Sequence, residues 1–201
     1  MLKFFLLFFF SFSLCAQNFV PKTFKVEFTQ VTMGSWSGKV KESQGEIDYE
    51  NPAKIRFKIL SPRPSEFVSN GKKSWFYTPA FMQGEKGEVI VQTSNKVVLS
   101  KFFDRISQGL TSNSLYTVKA SNNRFELLFS PVLQKELGME KSVILFNEGK
   151  NKNFQEIQSI ELNYKDKKPV VLKFKKMVTP AMFSGGHFIF EIPKETNISG
   201  S

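Results

Sequence analysis

The chain has 201 residues and a formal net charge of +10, and Cys15 is its only cysteine. This length suits one folded domain with a sizeable hydrophobic core. The positive charge favours acidic partners or anionic lipid surfaces, but the lysines are scattered as on a solvated face rather than gathered into a nucleic-acid-binding stripe. Once the leader that holds Cys15 is removed, neither a disulfide nor a thiol nucleophile is available.

The first 16 residues have the pattern of a secretory signal peptide. Lys3 supplies a positive charge, residues 4–14 form an apolar run, and cleavage is predicted after Ala16. The run is shorter than the about 20 apolar residues of an ordinary transmembrane helix. We therefore predict a signal peptide over residues 1–16 and a single domain over residues 17–201. A lipid-modified Cys15 is the alternative, although Leu14 stands where bacterial lipoprotein signals place a small residue.

Short segments of alternating apolar and polar residues fill most of the remaining chain. Phe24, Val26 and Phe28 show the period of two that a half-buried strand requires. Strands are predicted over residues 24–33, 38–50, 54–60, 65–68, 74–77, 88–92, 115–120, 124–129, 143–147, 155–164, 170–177 and 188–192. Polar turns separate them, and Asn70-Gly71 predicts a tight type I′ hairpin. The pattern favours a mainly β protein, an antiparallel barrel or sandwich.

One segment has helical periodicity instead. Its apolar residues recur at helical spacing. They are Leu99, Phe102, Phe103, Ile106 and Leu110. Ser94 before them is a suitable N-cap, and Gly109 marks a suitable helix end. We predict an amphipathic helix over residues 95–108 that lies against the concave side of the sheet. Such a helix is either a lid over a cavity or an ordinary core helix.

Candidate catalytic and metal-binding residues are sparse. His187 is the only histidine, and neither a cysteine nor a nucleophile motif accompanies it. The sequence lacks the ligand spacing of a metal site and the glycine pattern of a phosphate-binding loop. Glu46, Asp48 and Glu50 alternate along one strand, so a solvated face explains them better than paired catalytic carboxylates do. We predict no enzymatic activity, no metal and no cofactor.

The stretch from Gly45 to Pro79 combines Pro52, an aromatic strand after it, and a hairpin that ends in a Trp-x-Tyr-x-Pro pattern. The segments are Ile55-Arg56-Phe57, Val68-Ser69-Asn70-Gly71 and Trp75-Phe76-Tyr77-Thr78-Pro79. Their order and spacing resemble the periplasmic outer-membrane lipoprotein carrier family (LolA), and the resemblance extends loosely from Phe24 to Pro193. It implies an incomplete antiparallel β-barrel, a half-barrel, that encloses a hydrophobic cavity under a helical lid.

The same resemblance implies a function and a set of site residues. It implies a periplasmic chaperone that binds the acyl chains of lipoproteins and carries them from the inner to the outer membrane. The implied partners are acylated lipoproteins, an inner-membrane ABC-type transporter and either an outer-membrane receptor lipoprotein or, where no receptor exists, the membrane itself. The predicted lipid-binding residues are Phe28, Ile55, Phe57, Trp75, Tyr77, Leu99, Phe102, Phe103 and Ile106. The predicted lid contacts are Asn51 and Arg56.

Two features depart from the family pattern. Asn51 stands before Pro52, where an arginine that bonds the lid is customary, and little chain remains between Ala16 and Phe24 for an amino-terminal helix. Two alternative functions use the same scaffold, a periplasmic lipid or lipoprotein sensor and an outer-membrane receptor. A third alternative is a cell-envelope structural or glycan-binding β protein.

Overall fold

The fold was analysed in a computed structural model, which describes residues 18–33, 39–93, 97–165 and 167–200. The predicted signal peptide, its cleavage after Ala16 and the lipidation alternative at Cys15 all lie outside the described residues. The predicted helix start at Ser94 and Asn95 lies outside them as well.

The described chain forms one twelve-stranded sheet, which confirms the mainly β prediction. Its strands are β1 (Thr23–Met33), β2 (Val40–Glu50), β3 (Lys54–Ser61), β4 (Ser65–Asn70), β5 (Ser74–Thr78), β6 (Gly87–Gln92), β7 (Tyr116–Ser121), β8 (Arg124–Phe129), β9 (Met139–Phe146), β10 (Ile157–Tyr164), β11 (Val170–Val178) and β12 (Thr196–Gly200). The spatial order is β12-β6-β5-β4-β3-β2-β1-β11-β10-β9-β8-β7. Every pair is antiparallel except β12 with β6, and the sheet curls into an open half-barrel.

Two α-helices accompany the sheet. The first, α1 (Val98–Ile106), is shorter than predicted. Ser107 is its C-cap, and Gly109 follows with a positive φ of 117°. The second, α2 (Pro131–Leu137), was not predicted, although the Ser130 hydroxyl accepts the Leu133 N–H as a regular N-cap and Gly138 ends the helix. A short 3-10 helix covers Phe154–Glu156. Among the described residues, no helix has the length and apolar character needed to cross a bilayer.

The concave face of the sheet holds the main core. Phe24, Val26 and Phe28 of β1 point into it, as their alternation predicts, and all three are buried. The ring of Phe28 lies over Gly45 on the neighbouring strand, where an added Cβ would come within 2.5 Å of that ring. The ring of Phe57 stacks on the Phe28 ring, with the two centroids 5.0 Å apart. A glycine in β2 thus lets two aromatic rings lie flat across three strands.

The β4–β5 hairpin forms where it was predicted but with a different turn. Ser69 pairs with Ser74, and the Asn70 N–H donates to the Lys73 carbonyl, so Gly71 and Lys72 are the two central residues. A positive φ occurs only at Gly71 of these two. A glycine with positive φ at the first central position is typical of a type II′ turn, so the predicted type I′ turn is wrong.

Residues 179–195, which we call the C-terminal strap, lie over the convex face of strands β1 to β5. The predicted strand over residues 188–192 is wrong, because the strap crosses the strands instead of pairing with them. The Thr179 hydroxyl donates to the Thr23 carbonyl at the strap's start, and Arg56 donates to the Ile189 carbonyl further along. His187 Nε2 lies 2.7 Å from the Asp48 carboxylate, and the ring of Phe183 stacks on His187. The lone histidine therefore joins the strap to the sheet.

Candidate functional site

An apolar cavity of about 270 Å³ lies between the concave face and the first turns of α1. Three parts of the chain line it: strands β3 and β4, strands β10 and β11 with Gln30 of β1, and the start of α1. The lining residues are Gln30, Ile55, Phe57, Phe67, Val97, Val98, Leu99, Leu162, Tyr164, Val170 and Leu172. Apart from Gln30 and the Tyr164 hydroxyl, these side chains are hydrocarbon, so the cavity suits an apolar ligand.

The nine predicted lipid-binding residues separate into four groups. Ile55, Phe57 and Leu99 line the cavity. Phe28 supports it from below through its stack with Phe57. Phe102, Phe103 and Ile106 are fully buried in the core cluster and do not line the cavity. The helix therefore contributes its first residues to the cavity and the rest of its apolar stripe to the core.

The placement of Trp75 and Tyr77 on the concave face is wrong. Trp75 pairs with Val68, whereas Phe57 pairs with Phe67, and adjacent residues of one strand point to opposite faces. Trp75 and Tyr77 accordingly lie on the convex face, in a small cluster that Phe190 of the strap covers.

Strands β10 and β11 supply the lining residues that the sequence did not indicate. Leu162 pairs with Val170, and the same strand β11 pairs with β1. Strand β11, about 140 positions after β1 in the chain, thus lies beside it. Local periodicity does not indicate which strand becomes the neighbour of β1. The strand alternation of Leu162 and Tyr164 marks an apolar face but not its position in the sheet.

A single carboxylate joins α1 to the edge of the half-barrel. Asp104 Oδ1 accepts the Tyr49 hydroxyl at 2.5 Å, the Asn51 side-chain amide at 3.1 Å and the Ala53 backbone N–H at 3.4 Å. Burial, together with the hydrogen bond to Asp104, raises the pKa of Tyr49 well above its ordinary value of 10.0, so the phenol stays a donor. We call these four residues the Asp104 latch.

The latch places Asn51 where the sequence predicted a lid contact. The Asn51 amide donates to a carboxylate, and hydrogen bonds to charged groups are the stronger kind.

Arg56 does not contact α1. Its guanidinium lies on the convex face, 2.8 Å from the Glu66 carboxylate, and donates to the Ile189 carbonyl of the strap. The prediction of Arg56 as a lid contact is therefore wrong. The physical reason is the alternation of β3: Ile55 and Phe57 face the cavity, so the residue between them faces away.

Two further contacts hold the C-terminal half of α1. Arg105 forms a bidentate ion pair with Glu136 of α2, with the shortest N–O distance at 2.8 Å. The Phe19 N–H donates to the Ser107 carbonyl at 2.8 Å. The residues that line the cavity at the start of α1 have no comparable polar anchor among the described contacts.

Other features of the described chain suit a ligand less well. A larger opening of about 500 Å³ lies where β10 and β11 separate, but Asn147, Gln155, Lys175 and Thr179 give it a polar lining. Among the described residues, no group of three His, Cys, Asp or Glu side chains could hold a metal ion.

An open antiparallel half-barrel with an apolar cavity under an amphipathic helix defines one architectural class of β proteins. The sequence model of one family with this architecture, described as outer membrane lipoprotein carrier protein LolA, matches residues 21–191. The chain belongs to this family.

Individual relatives are distant. The outer-membrane lipoprotein carrier protein of Dechloromonas aromatica is 23% identical over 181 residues, which cover 89% of this chain and 82% of the relative. That of Pseudoalteromonas translucida is 28% identical over 145 residues, covering 66% and 68%. A solved structure of an uncharacterized conserved protein from Thermus thermophilus superposes with a TM-score of 0.51 at 10% identity, covering 91% of this chain and 93% of that protein. That structure supports the fold alone.

Proposed function

We propose that this protein is a periplasmic carrier that binds the acyl chains of lipoproteins and takes them from the inner to the outer membrane, without catalysing a reaction. The observation that carries the proposal is the apolar cavity under α1, a helix that the Asp104 carboxylate joins to the edge of the half-barrel. Membership of the lipoprotein carrier family and the predicted signal peptide support the same conclusion.

The size of the cavity indicates how cargo would be held. An apolar cavity of about 150 Å³ accommodates one benzene molecule, so about 270 Å³ accommodates roughly ten carbon atoms. This space matches part of one acyl chain. Three chains of about 15 methylenes each would need the start of α1 to move away from the sheet. Loading therefore requires a second position of the helix, which makes α1 a lid.

The lid also explains how cargo could be released. Complete enclosure of one acyl chain would stabilise the complex by about 0.8 kcal/mol for each methylene, or about 12 kcal/mol for 15 of them. Release would then be very slow. In the proposed cycle, the Asp104 latch favours the closed empty state and offsets part of that free energy when the cargo leaves. The proposed partners are an inner-membrane ABC-type transporter that supplies the cargo and an outer-membrane receptor lipoprotein that accepts it.

The direct test is a fluorescence titration of the purified mature protein with a triacylated lipopeptide. Leu99→Asp places a carboxylate in the cavity lining, which we expect to weaken binding by about tenfold or more because an ionised group must be desolvated against hydrocarbon. The matched control is Val132→Asp on the exposed side of α2, where the side chain is 71% exposed. Equal affinity of Leu99→Asp and the wild type, with both folded, would contradict the proposed binding site.

A further inference from the structure

Several strand connections lie at one end of the half-barrel. Met33 of β1 pairs with Val40, and Thr32 pairs with Val170, so the end of β1 lies beside the beginnings of β2 and β11. Because the strands are antiparallel, this same end holds the connections over residues 61–64, 79–86 and 165–169. We call these three connections, with the adjoining Leu60, the rim.

The rim exposes large apolar side chains. Phe81 is 79% exposed, Met82 60% and Leu60 51%. The Arg63 guanidinium lies over the Phe81 ring, 5.9 Å from its centroid, so the connections over 61–64 and 79–86 are neighbours. Single exposed apolar residues are ordinary, but Phe81 and Met82 are adjacent on one loop beside Arg63, and contiguous apolar patches mark interaction surfaces.

The rim is also basic. By sequence its three connections contain five cationic residues and two acidic ones, a net charge of +3. The cations are Arg63, Lys86, Lys165, Lys167 and Lys168. Of the acidic pair, the Glu85 carboxylate accepts the Met82 N–H, which shapes the turn that presents Phe81 and Met82. Apolar tips among cationic residues match the interface of an anionic bilayer, where side chains enter the headgroup region while cations meet lipid phosphates.

The rim adjoins the cavity. Tyr164 and Val170 both line the cavity, and they are the last residue of β10 and the first residue of β11. The rim connection over 165–169 joins them directly. The cavity therefore extends toward the end of the half-barrel that carries the rim. A partner bound at the rim would lie at that same end.

We propose that the rim docks on the surface of an anionic phospholipid bilayer, with Phe81 and Met82 inserted among the headgroups. This inference goes beyond the carrier function, because the empty protein would bind a bare lipid surface. It assigns a lipid membrane, rather than only another protein, as a partner at which an acyl chain could leave or enter the cavity.

The test is flotation of the empty mature protein with vesicles of phosphatidylethanolamine and phosphatidylglycerol, compared with vesicles of phosphatidylcholine alone. The double variant Phe81→Ser with Met82→Ser should bind the anionic vesicles about tenfold or more weakly, since two apolar side chains no longer enter the interface. The control is Met182→Ser, because Met182 is 98% exposed but lies on the strap near Thr23, at the opposite end of the sheet. We expect this control to bind within about twofold of the wild type.

A second pair of variants tests the charges. Lys86→Gln should weaken binding to anionic vesicles by about fivefold and leave binding to neutral vesicles unchanged, whereas Lys72→Gln, in the hairpin at the opposite end, should have a smaller effect. The proposal is overturned if the wild type does not float with anionic vesicles, or if Met182→Ser reduces flotation as much as the rim variant does. Lipopeptide titration of the same variants tests the carrier function separately. The rim residues do not line the cavity, so lipopeptide affinity should stay unchanged even where vesicle binding is lost.

Discussion

Replacing Asp104 with alanine should release α1 from the edge of the half-barrel. The substitution removes the one acceptor shared by Tyr49, Asn51 and the Ala53 N–H. It leaves the Tyr49 hydroxyl without its acceptor in the closed state, whereas an open lid would let water reach that hydroxyl. The perturbation therefore acts on the closed state in particular.

The size of the effect follows from the contacts. A hydrogen bond to a charged group contributes about 1.5 to 3 kcal/mol. Asn51 is exposed and Asp104 is half-buried, so solvent weakens the hydrogen bond between them. We estimate a total of about 2 kcal/mol for the latch, which corresponds to a roughly 30-fold shift toward the open state. If only the open state admits cargo, the apparent Kd for a triacylated lipopeptide should fall by up to about 30-fold.

Two measurements check this expectation. Hydrogen exchange should accelerate in the backbone amides of α1 but not in the β4–β5 hairpin, and the lipopeptide titration should show tighter binding. Glu126→Ala is the matched control, because it removes a carboxylate paired with Lys141 between β8 and β9. If Asp104→Ala leaves exchange in α1 and lipopeptide affinity unchanged while the protein stays folded, the latch does not hold the lid.

Further predictions concern the latch, the sheet and the phenol. Asn51→Arg should form a bidentate pair with Asp104, slow hydrogen exchange in α1 and weaken lipopeptide binding. Gly45→Ala should lower the free energy of unfolding by about 1 to 3 kcal/mol in urea titrations, because its Cβ would approach a backbone carbonyl to 2.2 Å, whereas Gly185→Ala meets nothing within 4 Å and should be neutral. The raised pKa of Tyr49 means that its contribution to stability is complete below pH 10.0 and is lost as the pH rises further, so Tyr49→Phe should flatten the alkaline loss of stability.

The sequence by itself determined where one face of a strand is apolar and the other polar. Phe24, Val26 and Phe28 alternate with polar residues, so one face of the strand must be buried and the other must face solvent. The structure buries all three residues. The same reasoning located α1, because its apolar stripe has helical spacing. A turn at Gly71 followed from glycine's tolerance of positive φ, although the type of turn depended on which residues became central.

Only the tertiary structure decided the faces of β4 and β5 and the full lining of the cavity. Phe67 and Val68 are adjacent and both apolar, and so are Trp75 and Phe76, so alternation gives no preference between the two faces of these strands. The choice came from strand pairing, which aligns Phe67 with Phe57, and from the strap, which buries the opposite face of β5. Likewise β11 joins β1 across more than a hundred residues, and contacts of that range are fixed by the packing of the whole sheet rather than by any local pattern.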